Sequence, residues 1–245
     1  WIEEYEFDGY RFDLSKGFTQ NTGNDPTDVG AWNGYNQTRI DLLTRMADEI
    51  WAFDPNTYVI LEHLSDNSEE TVLANYGMML WGNMNHNYRD AVNGNVGANL
   101  DGVRSELKGW NDKNLIAYME SHDEERLVYG AVTEGLSSGN YNIQDTVVAI
   151  ERAKLATAFY YTVPGPKMLW QFGELGYDFS INFNSRIGNK PIPWGEEDGL
   201  NYHLDPDRQK LYKASQAIIN LVNENNDVFE GGSFNWTPSG QLREI

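Results

Sequence analysis

The chain has 245 residues, 40% of them hydrophobic, which suits one large domain or one and a half ordinary ones with a sizeable core. Its formal net charge of −19 repels phosphate backbones and anionic lipid, which excludes nucleic acid and membrane as partners, whereas a neutral ligand meets no penalty. With no Cys there are no disulfides, thiol catalysis or zinc–thiolate sites; no apolar run spans a bilayer and no signal peptide is visible, and the reading leans only slightly to an extracytoplasmic or secreted setting.

Residues 5–12 read as a strand that ends at Asp13, followed by a Gly/Asn/Asp-rich loop over about 17–35. The spacing of Ile40, Leu43, Ala47, Ile50 and Trp51 predicts a helix over 37–52 with one apolar face. Asp54-Pro55 breaks it, and 57–62 is a short apolar strand ending at Glu62. A further apolar run covers 77–82, then two short helical patterns near 86–93 and 100–109, then a strand over 114–120 that runs into Ser121-His122-Asp123. A Gly/Ser-rich loop at 130–142 precedes a long helix over 144–162, which Pro164-Gly165-Pro166 stops. Residues 167–172 are strand-like, 173–204 irregular, and 206–224 helical with Leu211, Ala214, Ile218 and Val222 inward. Residues 228–236 read as the first strand of something new.

Strands alternating with helices, and apolar along their whole length, indicate a parallel α/β sheet covered on both faces. Five strands are fewer than the eight of a closed (β/α)8 barrel, which leaves an open doubly wound sheet or a barrel without its first strands.

Three acids occupy equivalent places. Asp13, Glu62 and Asp123 each lie at or just past the C-terminal end of a predicted parallel strand, the edge where such folds bind ligands. One such acid alone reads best as a helix cap or a solvated loop residue; three at one edge, with Arg11 and His122 beside them, point to chemistry. On a strand Arg11 and Asp13 face the same way, so the guanidinium would keep Asp13 ionised and oriented. Glu62 follows Val59-Ile60-Leu61, where poor hydration would raise its pKa as an acid requires. His122 and Asp123 would donate to and accept from hydroxyl groups. Among the tryptophans, Trp81, Trp170 and Trp194 are candidates to line a cleft, Trp81 and Trp170 reading rather as core.

These segments resemble a known family. Gly9-Tyr10-Arg11-Phe12-Asp13-Leu14-Ser15-Lys16 is similar to the nucleophile segment of the α-amylase clan (glycoside hydrolase family 13), Ile60-Leu61-Glu62-His63-Leu64 to its acid/base segment, and Met119-Glu120-Ser121-His122-Asp123 to its third-carboxylate segment. Residues 165–174 resemble the segment of its eighth barrel strand. The resemblance implies a (β/α)8 TIM-barrel type of fold, here a partial barrel of strands 4–8 over residues 1–226, with 227–245 beginning a C-terminal β-sandwich domain. It implies a retaining α-glucan hydrolase acting on starch or related oligosaccharides, with Asp13, Glu62 and Asp123 catalytic and Arg11, His122 and Lys16 binding substrate. The alternatives are a branching or transglycosylating enzyme of the same family, or an inactive glucan-binding fragment. The first three strands, expected in the rest of the parent chain or in another chain, take with them a sugar-binding His and a calcium ligand. Gly17 stands where many relatives carry a His whose backbone carbonyl also binds calcium, so the resemblance supports a structural calcium only weakly and implies no other cofactor or metal.

Overall fold

The computed structural model describes residues 1–18, 28–195, 200–233 and 235–245. The chain divides into two compact units, one made of Trp1–Gly82 and Arg104–Ala117, the other of Asn83–Val103 and Tyr118–Ile245.

The first unit opens with a short exposed helix, α1 (Ile2–Tyr5), and the strand β1 (Gly9–Phe12). The strand expected from residue 5 therefore begins at Gly9, because Glu6 turns the chain into a left-handed conformation with φ 54°. Helix α2 (Gln37–Phe53) matches the predicted one and is capped by Asn36, whose side chain accepts from the Arg39 N–H at 3.0 Å. Strand β2 (Tyr58–Leu61), helix α3 (Asn67–Tyr76), strand β3 (Met79–Asn83) and strand β4 (Leu115–Tyr118) follow. The sequence gives little sign of α3, whose buried face mixes Leu73 and Ala74 with Glu69 and Glu70.

Ile40, Leu43 and Ala47 of α2 pack with Val59 and Leu61 of β2, Leu73 and Ala74 of α3, and Leu80, Trp110 and Leu115 in one apolar core. Strands β1 and β2 are parallel, with Gly9 opposite Tyr58 and Phe12 opposite Leu61. A Cβ on Gly9 would come within 2.6 Å of the Tyr58 Cβ, so this close approach needs glycine. Strands β2 and β3 are also parallel.

In the second unit, α4 (Asn85–Asn93), α5 (Leu127–Glu134) and α6 (Thr146–Tyr161) pack on one another, with Tyr88 and Tyr160 edge to face at 5.7 Å. Between α5 and α6, β5 (Ser137–Ser138) and β6 (Tyr141–Asn142) form a small antiparallel hairpin. The loop expected at 130–142 thus begins inside a helix and ends in this hairpin. The helix expected at 100–109 is two 3₁₀ turns, Asp101–Val103 and Ser105–Lys108, separated by an extended Arg104. Strand β7 (Lys167–Met168) precedes α7 (Pro206–Glu224), which is started by Asp205 as cap and Pro206 in its first turn. Helix α8 (Asn226–Gly231) occupies the start of the stretch read as a strand over 228–236; Phe234 of that stretch lies outside the described residues. The only β structure described beyond it is a single antiparallel bridge, Thr237 to Glu244. The loops predicted at 17–35 and 173–204 include residues 19–27 and 196–199, which also lie outside the described set.

The sheet order is β1-β2-β3-β4-β7. Order in the sheet follows order in the chain, with no strand placed back beside an earlier one. A doubly wound sheet reverses direction at its switch point; one-way winding is that of a barrel. Among the described residues no helix is long and apolar enough to cross a membrane.

Candidate active site

In the first unit, Asp13 and Glu62 are the residues immediately after β1 and β2. Because Phe12 pairs with Leu61, the two acids leave the sheet side by side at its C-terminal edge. The backbone fixes this exit: the Glu62 N–H donates to the Phe12 carbonyl at 3.0 Å, and the Ser15 N–H donates to the Glu62 carbonyl at 2.9 Å.

Arg11 joins the two acids. One guanidinium nitrogen donates to Asp13 Oδ1 at 2.7 Å and the other to Glu62 Oε2. The Leu14 N–H donates to the same Glu62 oxygen at 3.1 Å. The guanidinium lies 4.3 Å from the centroid of the Trp81 ring, so Trp81, read from sequence as core, is buried but also supports the cation. The two carboxyls differ in hydration: the Asp13 side chain is 76% exposed and that of Glu62 only 11%. Burial pushes the Glu62 carboxyl above the usual carboxylate range; the Leu14 N–H and the Arg11 charge pull the other way, and the Asp13 carboxyl adds to the rise.

Lys16 is also in this unit but is turned inward. Its ammonium donates to Asn33 Oδ1 at 2.7 Å and to the Leu64 carbonyl at 3.0 Å. Burial, then the Arg39 charge, lowers its pKa, against the opposing pull of Glu70 and Glu62. In this arrangement the side chain that the resemblance assigns to an acceptor sugar spends these donors inside the protein.

The second unit holds His122 and Asp123, past the end of β4. Asp123 Oδ1 accepts from Arg186 at 2.7 Å, the Asp123 carbonyl accepts from the same nitrogen at 3.0 Å, and His122 Nε2 lies 3.4 Å from Asp123 Oδ2. The His122 ring sits beside Trp170, with centroids 6.0 Å apart. The two residues after Asp123 anchor neighbouring segments: Glu124 accepts from Asn83 and Ser121, and Glu125 from the Ser180 hydroxyl at 2.7 Å and the Ile181 N–H at 2.9 Å. Glu120 is buried, and burial raises its carboxyl pKa, the Arg126 charge and the Leu127 N–H opposing. Trp194 is 56% exposed, with its ring edge-on to Phe172.

Arg11, Asp13 and Glu62 are thus brought together in one unit, and His122 and Asp123 in the other. Sequence reasoning missed Arg186, which lies in a stretch without periodicity. It also missed the role of Trp81, and the buried partners of His63 described below. Among the described residues no group of three or more His, Cys, Asp or Glu side chains is arranged to hold a metal ion.

No family model matches the chain, and no curated protein sequence matches it. Solved structures do. It is similar to the pullulanase from Bacillus acidopullulyticus, at 18% identity over 94% of this chain and 27% of that one, with TM-score 0.58. It is similar to the α-amylase from H. orenii, at 17% identity over 95% of this chain and 47% of that one, with TM-score 0.56. It is also similar to the pullulanase from Paenibacillus barengoltzii in complex with maltohexaose and α-cyclodextrin, at 19% identity over 94% of this chain and 35% of that one, with TM-score 0.55. The shared property is the fold. The chain spans less than half the length of each of these proteins.

Proposed function

We propose that the chain carries the nucleophile and acid/base of a retaining α-glucan hydrolase. The observation that supports this best is the unequal state of two adjacent carboxyls: Asp13 is hydrated and ion-paired, whereas Glu62 is buried and inclined to hold its proton. Cleaving a glycosidic bond with retention needs this division. Glu62 gives its proton to the leaving oxygen as Asp13 attacks the anomeric carbon. The bond to the leaving sugar breaks and a covalent glycosyl–Asp13 ester forms. Glu62, now a carboxylate held by Arg11 and the Leu14 N–H, takes a proton from water, whose oxygen displaces Asp13. With substrate bound, the two carboxyls would stand about 5–5.5 Å apart.

Asp123 and His122 are assigned to the hydroxyls of the sugar at the point of cleavage, and Arg186 to holding Asp123 until a sugar competes for it. The fold is similar to that of two pullulanases and an α-amylase, one of the pullulanases in complex with maltohexaose and α-cyclodextrin, and on that basis an α-linked glucose oligomer is the substrate class proposed. In this reading β1, β2, β3, β4 and β7 are the fourth to eighth strands of a (β/α)8 barrel, residues 1–226 form its catalytic part, and 227–245 open a further β-domain.

The test is reducing-sugar release from soluble starch and maltohexaose, with the anomer of the first product followed by NMR. Glu62→Gln is expected to lower kcat by roughly 10²–10⁴-fold, the range for loss of a general acid. Asp13→Asn should abolish turnover while leaving oligosaccharide binding nearly intact. Turnover by Asp13→Asn close to the parent rate, or an inverted product, would overturn the assignment.

A further inference from the structure

Behind Asp13 and Glu62 lies a cluster that the proposed reaction does not use. Ser15, His63, Glu69 and Arg39 are each at most 1% exposed. The Ser15 hydroxyl meets His63 Nδ1 at 2.8 Å, and His63 Nε2 meets Glu69 Oε1 at 2.8 Å. Arg39 donates to both Glu69 oxygens, at 2.6 and 2.7 Å, and the Asn36 N–H donates to Oε2 at 2.8 Å. Arg39 also donates to the Lys16 carbonyl at 2.7 Å.

The order Ser–His–Glu is that of a hydrolytic triad, but Ser15 has no exposed surface and its hydroxyl cannot meet a substrate. The cluster faces the backbone instead. A carboxylate only accepts, so the ring proton toward Glu69 sits on Nε2; Nδ1 meets the Ser15 hydroxyl, which also donates to the Glu62 carbonyl at 3.3 Å. Ser15, so fixed, holds the Glu62 carbonyl through its own N–H at 2.9 Å. The preceding residue, Leu14, has φ 39°, a left-handed conformation that a Leu keeps only when its surroundings dictate it. Its N–H is the one that reaches the Glu62 carboxyl.

We propose that His63, oriented by Glu69 and Arg39, is a positioning residue for the reaction: through Ser15 it holds Leu14 in its strained turn, so that the Leu14 amide meets the Glu62 carboxyl. This rests on the hydrolase reading of Asp13 and Glu62. The experiment follows the Glu62 carboxyl by NMR titration of ¹³C-labelled Glu, and kcat and KM on maltohexaose, in the parent, His63→Gln and Ser15→Ala. Leu43→Ala, in the core of the same unit, serves as a stability control.

In His63→Gln and Ser15→Ala, Glu62 should titrate at higher pH, because an N–H that favours its ionised form is lost. Turnover should fall toward the roughly 10²-fold that an ångström-scale misplacement costs, with KM little changed. Leu43→Ala should lower Tm and do neither. If both variants lower Tm as the control does but leave the Glu62 titration and kcat in place, the cluster is structural only and the proposal is wrong. If the parent protein cleaves no glucan, the hydrolase reading fails by itself, and the titration in Ser15→Ala still decides the positioning claim. Should His63→Gln fail to fold, Ser15→Ala removes a single buried oxygen and carries the same test.

Discussion

In the first unit one guanidinium, that of Arg11, serves two carboxyl groups of unequal hydration. Its charge favours the ionised form of Glu62 and so limits the rise that burial causes. Arg11→Gln should therefore let Glu62 keep its proton to higher pH. If Glu62 is the acid of the proposed reaction, loss of that proton ends its competence on the alkaline side, so the alkaline limb of kcat/KM should move up in pH; a limb that moves down would contradict this account. Glu69 has the opposite character. Burial alone would raise its carboxyl, but hydrogen bonds from His63, Arg39 and the Asn36 N–H outweigh it and bring the pKa from 4.5 to about 2. A carboxyl depressed in the folded state stabilises the protein above its unfolded pKa, and that stability is lost as the pH falls from 4.5 toward about 2. Glu69→Gln should flatten unfolding free energy against pH in this window. It should also cost roughly 3–5 kcal/mol at neutral pH, the usual result of leaving one member of a buried pair alone; urea titrations at several pH values read both.

At the scale of elements, the parallel pairing of β1 and β2 places Asp13 beside Glu62, since one register step would move them apart and reverse the faces of the slipped strand relative to its partner. The irregular segment that carries Arg186 has its own scaffold. Asn184 and Ser185 adopt left-handed conformations with φ 52° and 67°. The Lys190 ammonium gathers the carbonyls of Ser185 at 2.7 Å and Gly188 at 2.8 Å. A Cβ on Gly188 would lie 1.7 Å from the Asn184 carbonyl oxygen, so the turn closes only with glycine there. Gly188→Ala should open the turn, release Arg186 from Asp123 and destabilise by about 1–3 kcal/mol, with the loss visible as a changed NMR environment of the Arg186 guanidinium. An unchanged Arg186 signal would show that the contact with Asp123 does not depend on the turn.

At the scale of the whole molecule, a net charge of −19 and a sequence pI near 4.4 mean that repulsion among carboxylates opposes the compact state at neutral pH. Salt screens that repulsion, the Debye length shrinking from about 30 Å at 0.01 M to about 8 Å at 0.15 M. Tm should rise over this range of NaCl, and solubility should be lowest near the pI. A Tm that falls with salt would mean that the ion pairs, such as Arg186 with Asp123, outweigh the net repulsion.

The amino-acid sequence determined where strands and helices alternate. Apolar runs such as Val59-Ile60-Leu61 and the spaced Ile40, Leu43 and Ala47 carry short-range signals that need no partner to be read. It also placed Asp13 and Glu62 at strand ends, which fixed them at one edge once the strands were parallel. Elements whose buried face is polar were invisible: α3 buries Glu69 and Glu70, a pattern that is indistinguishable from a solvated surface until their partners are known. Only the tertiary structure decided those partnerships. Arg39 reaches Glu69 across 30 residues and Arg186 reaches Asp123 across 63, and such pairings leave no periodic trace in the chain. The same holds for the inward turn of Lys16 and the support of Arg11 by Trp81. Propensity and periodicity act between near neighbours, whereas the protonation and orientation of a buried side chain depend on the water and charges around it, which folding alone brings into place.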